Sequence, residues 1–309
     1  MLRRSLLMLS QSDRLKNLAS TLPISSGIVS RFVAGEHVED AVTTSRRLVD
    51  DGLLVSLDYL GEDTVEAAQA ASTVDAYLLL VKNLSAAGLT PEVEVSVKLS
   101  AVGQALPGDG ERVALDNARR ICQAASNGGT TVTLDMEDHT TTDSTLRILH
   151  EVRQDFPATG AVVQAYLRRT EQDCKDLSYE GSRVRLCKGA YKEPESVAFQ
   201  GRTEVRLSYV RCLKALMAGA GYPMVATHDP KLIQLAGRLV EANGRVKGSY
   251  EYQMLFGIRP DEQKRLTAAG EKVRVYTPYG DEWYGYLMRR LAEKPSNLAF
   301  FVRSLVTKG

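Results

Sequence analysis

The chain has 309 residues, 44% of them hydrophobic and 25% charged, proportions that exclude a disordered, collagen-like or disulfide-scaffold protein. Its 39 Lys+Arg stand against 38 Asp+Glu, a formal net charge of +1, so the chain as a whole lacks the electrostatic footprint of a nucleic-acid binder. The length allows one large domain or two ordinary ones.

The N-terminal run MLRRSLLMLSQSDRLK has an apolar stretch, Leu6 to Leu9, shorter than the ~7–15 residues of a signal-peptide core. Asp13, Arg14 and Lys16 follow at once, so the expectation is an amphipathic helix. Residues 1–50 as a whole read as a helical arm. Strands are then expected at LLVSLDY (53–59), VEVSVKL (93–99), TTVTLDM (130–136), AVVQAYL (161–167), RVRLCK (183–188), PMVATH (223–228), VKGSYEY (246–252) and VRVYTP (273–278). All are rich in β-branched residues.

Between them lie helical patterns. Thr64 to Ala87 is long and Ala-rich, and Glu111 to Asn127 is closed by Gly128-Gly129. Asp143 to Asp155 opens on a capping residue and stops before Pro157. Glu171 to Ser178 is short, and Glu195 to Ala218 ends at Gly219. Asp229 to Asn243 begins with Asp-Pro, a cap followed by proline at the first helical position. Asp261 to Ala269 and Asp281 to Glu293 complete the series.

Eight strand–helix alternations point to parallel pairing, and their span is that of a (β/α)8 barrel of roughly 250 residues. An open doubly wound sheet is the alternative. Its Gly-rich phosphate loop after the first strand is missing, because GDG at 108–110 lacks the third glycine of that motif. No linker interrupts the chain, so residues 1–309 read as one domain with the arm attached. Cys122, Cys174, Cys187 and Cys212 form no CxxC pair and are expected as reduced thiols in a cytoplasmic protein. No apolar run approaches the ~18–20 residues of a membrane span. The apolar stretch Leu298 to Val306 is expected to pack on the body.

A barrel of this kind carries its site at the C-terminal strand ends. There stand Asp58 and Glu62; Lys98; Asp135, Glu137 and Asp138; Gln164 and Tyr166; Arg185, Lys188, Gly189, Ala190 and Tyr191; Thr227 and His228; Glu251 and Gln253; and Tyr276. Burying so many ionisable groups is costly unless they pair, which favours a shared polar site over an accident of composition. Arg289 and Arg290 on the last helix, with Lys98, suit a carboxylate held by three cations. Together with Arg185 they predict a local excess of positive charge at the barrel mouth. Three other chemistries stay open at this level. Asp135, Glu137 and His228 offer a metal site. Lys98 or Lys188 offers a Schiff base, as in a barrel aldolase or transaldolase, which needs a depressed lysine pKa. A non-catalytic carboxylate-binding module needs only the clamp.

The runs VSVKLSA (95–101), LDMED (134–138), VQAYLRR (163–169), RLCKGAY (185–191), ATHD (226–229), YEYQMLFG (250–257), RVYTPYG (274–280) and YLMRRLAEKPSN (286–297) resemble, in order, those of the proline dehydrogenase family. The resemblance implies an α/β fold, a distorted TIM barrel with a helical N-terminal extension and its last helix over the mouth. It implies FAD as cofactor. It implies oxidation of L-proline to Δ1-pyrroline-5-carboxylate, the first step toward glutamate, with hydride passing from proline C5 to flavin N5 and electrons going on to a quinone. With no room for an aldehyde dehydrogenase module, the chain is similar to the monofunctional form.

By the same resemblance, Lys98, Arg289 and Arg290 grip the proline carboxylate, and Leu255, Tyr276, Tyr191 and Tyr286 shape the pocket around the ring. Asp135 belongs to the substrate end. Gln164, Arg185, Lys188, Gly189, Ala190, Thr227, His228 and Gln253 line the flavin, and Glu62 in DYLGE gates access by pairing with an arginine. Tyr276 implies a preference for proline over hydroxyproline. Lys192 departs from the tryptophan common in bifunctional relatives. The implied location is cytoplasmic or peripheral at the inner membrane face. A membrane surface or pyrroline-5-carboxylate dehydrogenase is the implied contact, and nucleic acid is not.

Overall fold

In the computed structural model, which describes residues 29–287, the eight strands pair in parallel in the order β3-β2-β1-β8-β7-β6-β5-β4. They are β1 Leu54–Tyr59, β2 Val93–Val97, β3 Val132–Leu134, β4 Ala161–Gln164, β5 Arg183–Cys187, β6 Tyr222–Ala226, β7 Glu251–Leu255 and β8 Val273–Tyr279. The seam between β3 and β4 closes through a parallel bridge of Thr133 to Gly160. There Leu134 N–H donates to the Gly160 carbonyl at 2.9 Å and Gly160 N–H to that of Val132 at 2.8 Å. A Cβ on Gly160 would stand 2.5 Å from Thr133 Oγ1, so the seam needs glycine. The result is an α/β TIM-type barrel, as expected.

The helices α1 Val38–Asp50, α2 Ala67–Ala86, α3 Gly110–Asn127, α4 Thr142–Asp155, α5 Thr170–Asp176, α6 Arg202–Ala218, α7 Pro230–Ala242 and α8 Pro260–Ala268 lie outside the strands. One turn of a further helix covers 283–287. The strands alternate strictly. Val55, Leu57, Val93, Val95, Val97, Val132 and Leu134 are buried toward the helices, while Ser56, Glu94, Ser96, Thr133, Arg185 and Gln253 meet across the barrel interior. Period-2 alternation therefore separates an apolar wall from a polar lumen.

Three expected elements shift. Strand β7 covers 251–255 rather than 246–252. Residues 246–249 form a turn, with Ser249 N–H on the Val246 carbonyl at 3.1 Å. The Arg245 guanidinium pins that turn by donating to the carbonyls of Leu216, Met217, Gly219, Gly221 and Ser249. Helix α6 starts at Arg202, not Glu195, because 194–200 folds back on β4 through a bridge of Leu167 to Ala198. Of the N-terminal arm, only 38–50 is helical among the described residues. The rest of it, and the stretch 298–306, lie outside them, as does most of the last helix. Among the described residues no helix is long and apolar enough to cross a membrane.

The lower lumen is a charge network. Glu94 of β2 meets Arg183 at 2.5 Å, Arg185 at 3.5 Å and Arg274 at 3.7 Å. Arg274 also pairs with Glu251 at 2.8 Å. Burial alone would push the Glu94 carboxyl up, but the three guanidinium groups hold it well below the usual carboxylate range. Breaking a buried pair from one side leaves the other charges uncompensated, at a cost of about 3–5 kcal/mol. Glu94→Ala is therefore expected to lower the urea midpoint by that much stability at unchanged slope, and a midpoint within error of the parent would refute the network's role.

Candidate active site

Above this network the strand ends bring a second polar layer together. Arg185 of β5 is 5% exposed, so each of its N–H groups needs an acceptor. Its Nε donates to Gln253 Oε1 at 2.6 Å, one Nη to Asp135 Oδ1 at 2.7 Å and Ser96 Oγ at 2.9 Å, and the other to Ser56 Oγ at 3.1 Å. Gln253 stands between this cation and Glu251, to which its Nε2 donates at 2.6 Å, and that pairing orients the amide. Asp135 follows β3, where its N–H continues the ladder onto the Val97 carbonyl at 2.8 Å. Its second oxygen accepts the Tyr276 hydroxyl at 2.8 Å, and the Tyr276 ring lies 5.3 Å from the Arg185 guanidinium carbon. One carboxylate thus holds a cation and a phenol at the same end of the barrel.

Lys98 ends β2 beside this group. Its ammonium contacts both oxygens of Asp58 of β1, at 2.7 and 2.5 Å. Burial pushes Asp58 up from its ordinary value, against the pull of Lys98. Burial also opposes the Lys98 charge, but Asp58, Glu62 and Asp135 outweigh it and raise the lysine. Lys98 is therefore a held cation and not a nucleophilic amine, which speaks against Schiff-base chemistry there. Of the four cations expected at the mouth, Lys98 and Arg185 each meet a carboxylate, and Arg289 and Arg290 lie outside the described residues.

The exits of β5, β6 and β7 form a separate, more open group. Lys188 is half-buried and pairs at 3.0 Å with Asp229, which also caps α7 by accepting Lys231 N–H at 3.1 Å. Thr227 Oγ1 accepts Asp229 N–H at 3.2 Å. His228 Nε2 accepts Leu255 N–H at 2.9 Å, which fixes the rim of β7. Gly189 takes φ +104°, Ala190 is exposed and Tyr191 is half-buried. Gln164 donates to the Glu137 carbonyl at 2.7 Å, and Tyr286 is buried. Glu62 lies on the loop after β1. Arg289 and Arg290 lie outside the described residues. Asp135, Glu137 and His228 have separate partners, and among the described residues no three His, Cys, Asp or Glu are grouped to hold a metal.

Two features escaped the sequence reading. Asp58 is the partner of Lys98, signalled only by a carboxylate inside an apolar strand. Glu137 is buried, and accepts both Ser100 N–H at 3.0 Å and Ser100 Oγ–H at 2.5 Å. Ser100 in turn accepts Asp63 N–H at its Oγ and Thr64 N–H at its carbonyl, so it ties Glu137 to the loop that carries Glu62.

The proline dehydrogenase family model matches residues 41–303. The chain belongs to the proline dehydrogenase family. It is 42% identical over 281 residues to proline dehydrogenase from Deinococcus radiodurans, covering 90% of each chain. It is 37% identical over 308 residues to proline dehydrogenase 1 from Bacillus subtilis subsp. natto, covering 100% of each. Among solved structures it resembles proline utilization A (PutA) from Bdellovibrio bacteriovorus inactivated by N-propargylglycine, with a TM-score of 0.79 and 25% identity. That match covers 86% of this chain and 32% of the other. Membership makes the chain an enzyme of proline oxidation, the first step of proline catabolism.

Burial pushes the Glu137 carboxyl from 4.5 up to about 7, against the two hydrogen bonds from Ser100. A raised carboxyl binds more protons folded than unfolded, so its contribution to stability falls as pH rises between these values. Glu137→Gln removes that dependence. From pH 5 to 8 the variant is expected to gain on the order of 3 kcal/mol relative to the parent, measured by denaturant melts across the range. Parallel pH curves would contradict the assignment.

Proposed function

We propose that the chain is an FAD-dependent proline dehydrogenase that converts L-proline to Δ1-pyrroline-5-carboxylate and delivers the electrons to a quinone. The single observation that carries this reading is the layer joined by Asp135. It sets Arg185 and Tyr276 beside Lys98 at the C-terminal strand ends of a chain with this family's pattern.

The residues present fit a flavin. Arg185 offers buried positive charge, although its N–H groups are already engaged. Lys188 spends one N–H on Asp229 and, being half-exposed, has others for an anionic group. Gly189, at φ +104°, and Ala190 leave the chain there without bulk. Gln164, Thr227, His228 and Gln253 complete the cofactor lining. FAD, when bound, supplies the two-electron acceptor.

The chain's own residues orient the substrate. Lys98, with Arg289 and Arg290, is the carboxylate clamp, and Asp58 keeps Lys98 charged and in place. Asp135 holds the Tyr276 hydroxyl, so its ring presents a fixed wall to the proline ring opposite Leu255, with Tyr191 and Tyr286 beside them. Orientation of this kind lowers the barrier by removing the entropy of alignment. Burial, with Asp135 and Asp58 nearby, raises the Tyr276 phenol well above its ordinary value, so it stays a neutral donor. Glu62 gates the mouth from the loop that Ser100 anchors.

Purified protein supplied with FAD is expected to be yellow, and L-proline is expected to bleach it without oxygen. Colourless protein that turns over no proline would overturn the reading, and borohydride trapping of a substrate on Lys98 or Lys188 would favour an aldolase instead. Arg289→Met or Arg290→Met is expected to raise KM for proline by roughly 10–100-fold, the loss of one charge-assisted contact, with FAD retained. Unchanged kinetics in both variants would remove the clamp.

A further inference from the structure

The segment after β5, residues 188–201, runs to α6 with only a turn at 195–197 and the bridge at Ala198 as regular features. A stretch of this length needs specific anchors to be ordered: Arg168 holds Glu195 and Val197 by their carbonyls, and Tyr166 holds the rest from residue 188 to residue 199. Tyr166, at the exit of β4, is 7% exposed. Its N–H donates to the Lys188 carbonyl at 2.9 Å, and its own carbonyl accepts Phe199 N–H at 2.8 Å. Its ring lies against Gly189, where a Cβ would fall 2.2 Å from ring carbon Cδ1. Its hydroxyl donates to Glu193 Oε1 at 3.1 Å.

Glu193 is itself buried at 8% exposure. It accepts the His139 backbone N–H at 2.9 Å and contacts His139 Nδ1. The segment is thus held to β4 by Tyr166 and to the exit of β3 by His139, through one carboxylate. Burial, with Glu193 alongside, keeps the Tyr166 phenol neutral and donating.

We propose that Tyr166, acting through Glu193, is a positioning residue that orders the 188–199 segment and sets residues 188–191 for the cofactor. This rests on the flavin reading above. None of the three groups need touch the reacting atoms. The ring of Tyr166 packs against Gly189, and the Glu193 link stops the segment from lifting away.

The test titrates apo-protein with FAD by quenching of flavin fluorescence and follows trypsin cleavage after Lys192 in the same samples. Tyr166→Phe and Glu193→Met each delete the hydroxyl–carboxylate bond with little change of volume. Each is expected to weaken FAD binding about tenfold, which corresponds to about 1.4 kcal/mol, and to speed cleavage after Lys192. The double variant is expected to lose no more than the worse single one, since both break the same contact.

Variants that bind FAD as tightly as the parent would overturn the proposal. So would multiplicative losses in the double variant, or weaker FAD binding without faster cleavage. A parent chain that takes up no FAD at all would instead overturn the flavin reading.

Discussion

A guanidinium sealed inside a barrel has no water to solvate it, and the arrangement around Arg185 follows from that constraint. Its acceptors come from β1, β2 and β7 and from the exit of β3, so satisfying one side chain fixes strands far apart in the chain. Each acceptor then has obligations of its own. Gln253 must meet Glu251, and Asp135 must meet Tyr276. The order of the site is inherited from the need to leave no buried polar group unpaired.

This couples the lower lumen to the mouth. Glu94, Glu251, Arg183 and Arg274 form a layer that touches Arg185 from below. Asp135, Tyr276, Asp58 and Lys98 meet it or stand beside it above. The lower layer meets the upper one through Glu94, which stands 3.5 Å from Arg185. The same pairing selects among chemistries. A lysine bidentate to a buried carboxylate is a stable cation, suited to holding an anion and unsuited to attacking a carbonyl.

Much of the fold was legible because strand–helix alternation and turn residues are local signals. Asp-Pro before α7 and Gly-Gly after α3 mark real boundaries. Residues 246–249 form a turn although VKGSYEY has β-branched and aromatic residues, because the preceding Arg245 ties the Ser249 carbonyl to those of Leu216, Met217, Gly219 and Gly221, which no local pattern records. Helix α6 was begun too early because the bridge to Leu167 is a long-range contact that no periodicity records. The site was legible as a set of polar residues at strand ends, and several of them do converge. Their pairing was not legible. Lys98 read as an open cation, and its partner Asp58 lies 40 positions away.

The sequence by itself determined the parallel barrel and the family, because period, capping and motif order are properties of short stretches. It also determined which strand ends carry charge. The tertiary structure alone decided that those charges cancel. Asp58 neutralises Lys98, Asp135 and Glu94 share Arg185, and Glu193 ties two exits to the segment after β5. Ion pairs between strands depend on register and distance across the lumen, which exist only once the barrel has closed. Among the described residues, the near-zero net charge of the chain becomes ion pairs across the barrel: Lys98 with Asp58, Arg185 with Asp135, and Arg183 and Arg274 with Glu94.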